Sequence, residues 1–372
     1  MNKTLFKTYV IYFTSLLLFV GVRIASNLGA FNFMTNSIVR NDVATIIIQI
    51  GIMILVPMLL SFLLLKQKPK EQLKTCHFKK ISCKAVLISF GIGILLFFLN
   101  LIVANFFSNL IHLFGYSSGG SSSSGGSTVE ISPVVLFLLE VVFTAILPGF
   151  CEEFMHRGVL MRNVASQTNY KTAIIISSVC FGLMHLNIEQ VFYASILGLI
   201  IGYVGAVSDS IYPCMILHFC NNFLSVYFSY ASSQNWLGGG LFDKINAIYS
   251  NNSVIFAFLF TAIIFVALVV GIGYLIVQLF KETRMKKLQK SLLAVQQEVS
   301  GDLQSQSPEQ LATDFKSLIM PHLEKNQDVL SVMLPAPASE KTKQSLSTNL
   351  FLYATLFLGV LITIFTFIWG VI

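Results

Sequence analysis

Apolar runs recur along the chain at roughly 5–29, 43–65, 85–114, 134–161, 171–187, 190–207, 213–231, 252–280 and 349–371. A hydrocarbon core of about 30 Å takes about 20 helical residues to cross. Inside lipid the backbone N–H and C=O groups must be satisfied within the segment, so each run predicts a helix. The expected fold is all-α, a polytopic transmembrane helix bundle of about nine spans, with eight forming a core and one added at the C-terminus. The third run is long enough to end in an interfacial turn. The fifth and sixth are short, and only Ile188 and Glu189 part them, which predicts a tight hairpin.

Between the runs the polar residues are distributed unevenly. The segments 1–7, 66–84, 162–171, 208–212 and 281–346 alternate to one side of such a bundle and hold 20 of the 24 Lys and Arg residues. The opposite loops hold only Arg40 and Lys244, and Arg23 and Arg157 lie within runs. Basic loops stay in the cytoplasm, so the N-terminus is expected inside and the C-terminus outside. Met1 to Lys7 and the run after it resemble a signal peptide, but the run is too long and lacks a small-residue cleavage site, which predicts a retained first span.

The chain thus divides into N-terminal helices (1–133), a polar-bearing core (134–231), an outer loop with the eighth span (232–280), a polar cytoplasmic insert (281–346) and a C-terminal span (347–372). Ser117 to Ser127 is Ser/Gly-rich and predicts a flexible outer loop. The insert opens with Lys281, Arg284, Lys286, Lys287 and Lys290, a basic cluster suited to anionic lipid. Ser307, Pro308, Glu309 and Gln310 predict a helix start within it.

Composition agrees with the pattern: 55% of the 372 residues are hydrophobic and 11% charged, against roughly a quarter charged in soluble domains. The net charge of +7 belongs to loops beside apolar runs. Membrane lipids are therefore the expected partner, and nucleic acid is not, since no groove-reading motif is present. The six cysteines form no Cys-x-x-Cys pair and four lie within runs, so no disulfide framework is implied.

An ionisable side chain inside a membrane is costly and marks a candidate functional site. Three helices hold most of them. Span four carries Glu152, Glu153, His156 and Arg157 after Pro148; span five carries Phe181 and His185; span seven carries His218, Asn221 and Asn222. Counted from the basic side at about 1.5 Å per residue, Glu152 and His218 lie roughly 15 Å deep and His185 roughly 21 Å deep. A shared depth predicts one buried site. Residues four apart share a helix face, so Glu153 should pair with Arg157, while Glu152 falls on the face of His156 and is left freer for chemistry. A desolvated glutamate suits a general base. His218 and Asn222 share a face and can offer two donors to an oxyanion. Pro148 should kink span four just before the glutamates. No Ser or Cys nucleophile with a base partner stands out; Cys151 adjoins Glu152 but faces elsewhere. Gly198, Gly202 and Gly205 on span six predict close helix packing. Arg23 and Glu140 stand alone and receive no role.

These residues carry a resemblance. Glu152, Glu153 and Arg157 as Glu-Glu-x-x-x-Arg, Phe181 and His185 as Phe-x-x-x-His, and His218 and Asn222 as His-x-x-x-Asn resemble the three motifs of the CAAX protease and bacteriocin-processing family, over about 134–231. The resemblance implies an intramembrane endopeptidase of the glutamic type, related to enzymes that trim prenylated proteins and to bacterial peptide-processing and immunity proteins. It implies that Glu152 activates water, His185 assists or positions that water, His218 and Asn222 hold the oxyanion, and Glu153, Arg157 and His156 support them. One departure is visible, since the family usually has an aromatic residue where His156 stands.

The substrate implied is a peptide or lipidated protein, and no cofactor is expected. Zinc is the weaker alternative, with Glu152, His185 and His218 as ligands and His156 as a further donor. It lacks a His-Glu-x-x-His motif. A non-catalytic immunity or scaffold protein that binds peptides in the same cavity is a second class of function. A transporter is a third, but matching broken segments in the two halves are missing.

Overall fold

A computed structural model describes residues 2–34, 36–116, 132–250, 254–286, 289, 293 and 346–371. The Ser/Gly-rich segment, the helix start at Ser307, and Lys287 and Lys290 lie outside the described residues.

Each apolar run contains a helix. In chain order, α1 is Lys3–Asn27, α2 Ser37–Leu65, α3 Pro69–Thr75, α4 Cys83–His112, α5 Pro133–Gln167 and α6 Tyr170–Met184. They are followed by α7 Ile188–Ser208, α8 Tyr212–Gln234, α9 Leu241–Ser250, α10 Ile255–Met285 and α11 Leu346–Val371. No strand occurs among the described residues. The short helices α3 and α9 were not foreseen. In α3, Pro69 fills the first turn and Glu71 accepts from the Lys68 N–H, a start signal too local for a search by hydropathy.

Among the described residues, seven helices are long and apolar enough to cross a membrane. Of the nine expected spans, α6 and α8 are the two outside that set. Helix α6 has 15 residues, roughly 22 Å of rise. Helix α8 has 23 residues, but His218, Asn221 and Asn222 dilute its apolar run. Length alone thus sets α6 apart and polarity sets α8 apart, while α5 carries Glu152 to Arg157 and still qualifies.

The hairpin between α6 and α7 turns at His185–Asn187, three residues earlier than the expected pair. Asn187 accepts from the Glu189 N–H and starts α7 at Ile188. Leu186 takes a left-handed φ of 53° to make the reversal.

Helix α5 is continuous but uneven. Its hydrogen bonding widens to π-helical turns at Val141–Ile146 and again at Phe154–Met161, around an α-helical stretch at Leu147–Glu153. Wide turns of this kind concentrate at functional sites. Pro148 has no N–H for the Thr144 carbonyl four residues back. That carbonyl accepts from Asn222 Nδ2 of α8 at 3.0 Å.

Two apolar cores flank the polar helices. Leu5, Tyr12, Leu16, Ile52, Met155 and Cys180 belong to the first, built on α1, α2, α5, α6 and α11. Leu96, Leu197, Ile201, Leu217, Ile272 and Leu279 belong to the second, built on α4, α7, α8 and α10. The polar side chains lie where the two meet.

At one end of the bundle, Asp209 gathers four of the five segments that charge places on one side, all but 1–7. His77 Nδ1 approaches its carboxylate at 2.7 Å, Arg284 Nη2 at 3.6 Å and Arg162 Nη1 at 4.0 Å, and Lys79 also reaches it. Arg162 and Arg284 further donate to carbonyls of the last turn of α7, at Gly205 and at Ala206 and Val207, where the helix dipole favours cations.

Candidate active site

Glu152 and Glu153 are adjacent, and α5 turns them to different surroundings. Glu153 is fully buried. Its Oε1 lies 3.1 Å from Arg157 Nη1 and 2.9 Å from His218 Nδ1, so the expected pair with Arg157 forms and His218 joins it. Oε2 has no hydrogen-bond partner within the protein. Arg157 also donates to the Gly198 carbonyl at 3.2 Å, and its guanidinium stands 4.6 Å from the centre of the Phe181 ring. A Cβ on Gly198 would come within 3.1 Å of Arg157 Nη2 and of the Ser178 backbone. The glycine of the expected packing motif therefore makes room for a buried cation.

Glu152 is only half-buried. Its Oε1 accepts from Gln49 Nε2 of α2 at 2.8 Å. The side-chain stack with His156 does not form. His156 Nδ1 instead meets the Glu152 backbone carbonyl at 2.8 Å. Because a carbonyl only accepts, Nδ1 holds the proton in the neutral ring, and Nε2 lies 3.0 Å from the Tyr12 hydroxyl, whose single proton is shared with the Cys180 carbonyl at 3.0 Å. Both nitrogens of His156 are thus engaged.

His185 caps α6, where its Nδ1 faces the Phe181 carbonyl at 3.0 Å. By the same logic the neutral ring carries its proton on Nδ1 and presents a lone pair at Nε2. Glu152 and His218 are both within electrostatic reach of His185. His218, buried on α8, spends Nδ1 on Glu153 and keeps Nε2. Asn222 gives one N–H to Thr144 and accepts from Asn221 Nδ2 at 3.1 Å, which leaves its second N–H.

Phe181 is the hub. Its ring meets those of His156, His185 and His218 edge-on at 5.1, 5.0 and 5.5 Å between centres. Three imidazoles and a guanidinium therefore pack on one phenyl group, a rigid apolar post that fixes their spacing. His185 and His218 thus share one post, while Glu152 turns to Gln49. Gln49, Tyr12 and Phe181 as a post were not foreseen. A lone Gln in the run Ile46 to Val56 was the available signal for the first.

Among the described residues no three His, Cys, Asp or Glu side chains are spaced to hold a metal ion. A cavity of about 530 Å³ lies further along α5 and α8, lined by Glu140, Ser225, Val226, Ser229, Tyr230 and Ser233. None of the candidate residues lines it.

Residues 134–224 match the family model of the type II CAAX prenyl endopeptidase Rce1-like proteins. That segment holds every ionisable candidate and is similar to a domain of a protease family, in agreement with the three motifs. With seven helices able to cross a bilayer, the chain is a multi-pass membrane protein. No curated protein and no solved structure matches it.

Proposed function

We propose that the chain is a glutamic-type intramembrane endopeptidase that hydrolyses a peptide bond close to a membrane anchor, acting on a lipidated protein or a membrane-bound peptide. The observation that carries this reading is the division of labour between the two glutamates. Glu153 is consumed by Arg157 and His218, whereas Glu152 is half-buried and held by a single amide.

Glu152 takes a proton from water, and the hydroxide attacks the scissile carbonyl carbon. His185 accepts the water's other O–H at Nε2 and so aims the oxygen. The new oxyanion takes hydrogen bonds from the second N–H of Asn222 and from His218 Nε2–H when that ring carries its second proton. The C–N bond then breaks as Glu152 returns its proton to the leaving amine. Donors preorganised in a dry site stabilise the oxyanion without reorganisation. Charge asymmetry makes the Asp209 end the cytoplasmic face, with the N-terminus inside and the C-terminus outside.

The test compares wild type, Glu152→Ala and His185→Ala, each purified and inserted in liposomes, on farnesylated and unlipidated peptides, with products read by mass spectrometry. Loss of a general base costs roughly 100- to 10,000-fold in rate. Full activity in both variants overturns the mechanism. Saturable binding by wild type without products replaces the enzyme with a binding protein.

A further inference from the structure

We propose that Gln49, on α2 and outside the matched family segment, is a positioning residue that holds Glu152 and the water it activates. This rests on the reading of Glu152 as general base. Gln49 is 103 residues from Glu152 in sequence, and its Nε2 donates to Glu152 Oε1 at 2.8 Å.

The amide orientation follows from chemistry. An ionised carboxylate only accepts, so the NH₂ group must face it, and Oε1 of Gln49 is turned away. That oxygen is buried and has no hydrogen-bond partner among the described residues, on a residue only 6% exposed. Leaving a buried acceptor unmatched is costly when a simple apolar side chain would fill the same space in a run of Ile, Leu and Met. An acceptor in this place suits an O–H donor beside Glu152, and the reaction requires one such donor, the attacking water. Gln49 then works with both ends. The NH₂ fixes one carboxylate oxygen and leaves Oε2 to take the proton. Oε1 shares the water's second O–H with His185 Nε2 and so holds the water in line with Oε2 of Glu152. The widened turns of α2 at Ile47–Leu55 place this residue against α5.

Gln49→Met keeps the length and removes both hydrogen bonds, and Gln49→Asn keeps the amide on a shorter stem. A misplacement on the order of 1 Å costs about 100-fold in rate. The expected result is a fall of about 100-fold in kcat for Gln49→Met with KM within about twofold, and a partial return in Gln49→Asn. A second readout needs no turnover: mass-spectrometric labelling of Glu152 by a hydrophobic carbodiimide, which should rise severalfold in Gln49→Met as Oε1 loses its amide cover. Labelling unchanged from wild type overturns the proposal, whether or not the protein cleaves peptides. So does a Gln49→Met protein of normal kcat. Raised labelling with no cleavage by wild type keeps the contact with Glu152 and removes the protease reading instead.

Discussion

Arg157 Nη1 lies 3.1 Å from Glu153 Oε1, and neither side chain is more than 1% exposed. Two opposite charges held out of water are tolerated only as a pair, and this pair has a third member in His218. The arrangement fixes α5 against α8 through Glu153 and against α7 through the Gly198 carbonyl. It also commits Glu153 to a structural network, which in the proposed mechanism leaves the general-base role to Glu152.

Removing one member should therefore cost far more than removing both charges. Arg157→Met leaves a buried carboxylate without its cation and is expected to destabilise by about 3–5 kcal/mol, whereas replacing a whole buried pair with apolar groups is often close to neutral. The double variant Arg157→Met, Glu153→Leu should accordingly melt nearer to wild type in detergent than Arg157→Met alone. Activity should not return with it, because His218 Nδ1 has lost its partner. A double variant less stable than either single one would show that the pair is not an isolated unit.

Much of this was legible in the sequence because membranes impose strict rules. Helix positions followed from run length, and Glu152, Glu153, Arg157, His185 and His218 stood out as ionisable groups in apolar surroundings. Charge groups five segments on one side, and four of them meet at Asp209. Gln49 and Tyr12 escaped because an uncharged polar residue in a span is common and their partners lie 103 and 144 residues away. The partner of Asn222 escaped because it is a backbone carbonyl that became available only through a proline. The turn at His185–Asn187 was misplaced because hydropathy does not register an Asn cap.

The Asp209 cluster should give the fold an acid-sensitive point. Burial alone would raise this carboxyl, but hydrogen bonds from His77 and Lys79 and the charge of Arg284 outweigh it and hold the group well below the usual carboxylate range. A group depressed in the folded state contributes stability that is complete above its unfolded pKa of about 3.9, and that is lost as pH falls through the folded value. Neutral pH therefore shows the full contribution, and its loss begins only below about pH 4. Asp209→Asn removes it at every pH. With the carboxylate partly open to solvent, the cost is about 1–2 kcal/mol near neutrality. Thermal melts at stepped pH should show the variant less stable at pH 7 and converging with wild type in acid. Parallel curves would locate the acid sensitivity elsewhere.

The contact between Asn222 and the Thr144 carbonyl separates a structural from a chemical role for that amide. Pro148 withholds the N–H that Thr144 would otherwise receive, and Asn222 Nδ2 supplies a donor at 3.0 Å. Asn222→Leu should therefore cost about 1–3 kcal/mol by stranding a polar group. Pro148→Ala restores a backbone N–H four residues on. In that background Asn222→Leu should cost clearly less, and the difference measures the coupling in a double-mutant cycle. If stability is rescued in the double variant and cleavage stays low, Asn222 also serves the oxyanion through its second N–H. If both return together, its work ends at Thr144. A cycle with no coupling would mean that the proline and the amide act independently, and that the widened turn of α5 before Pro148 is held by something other than α8.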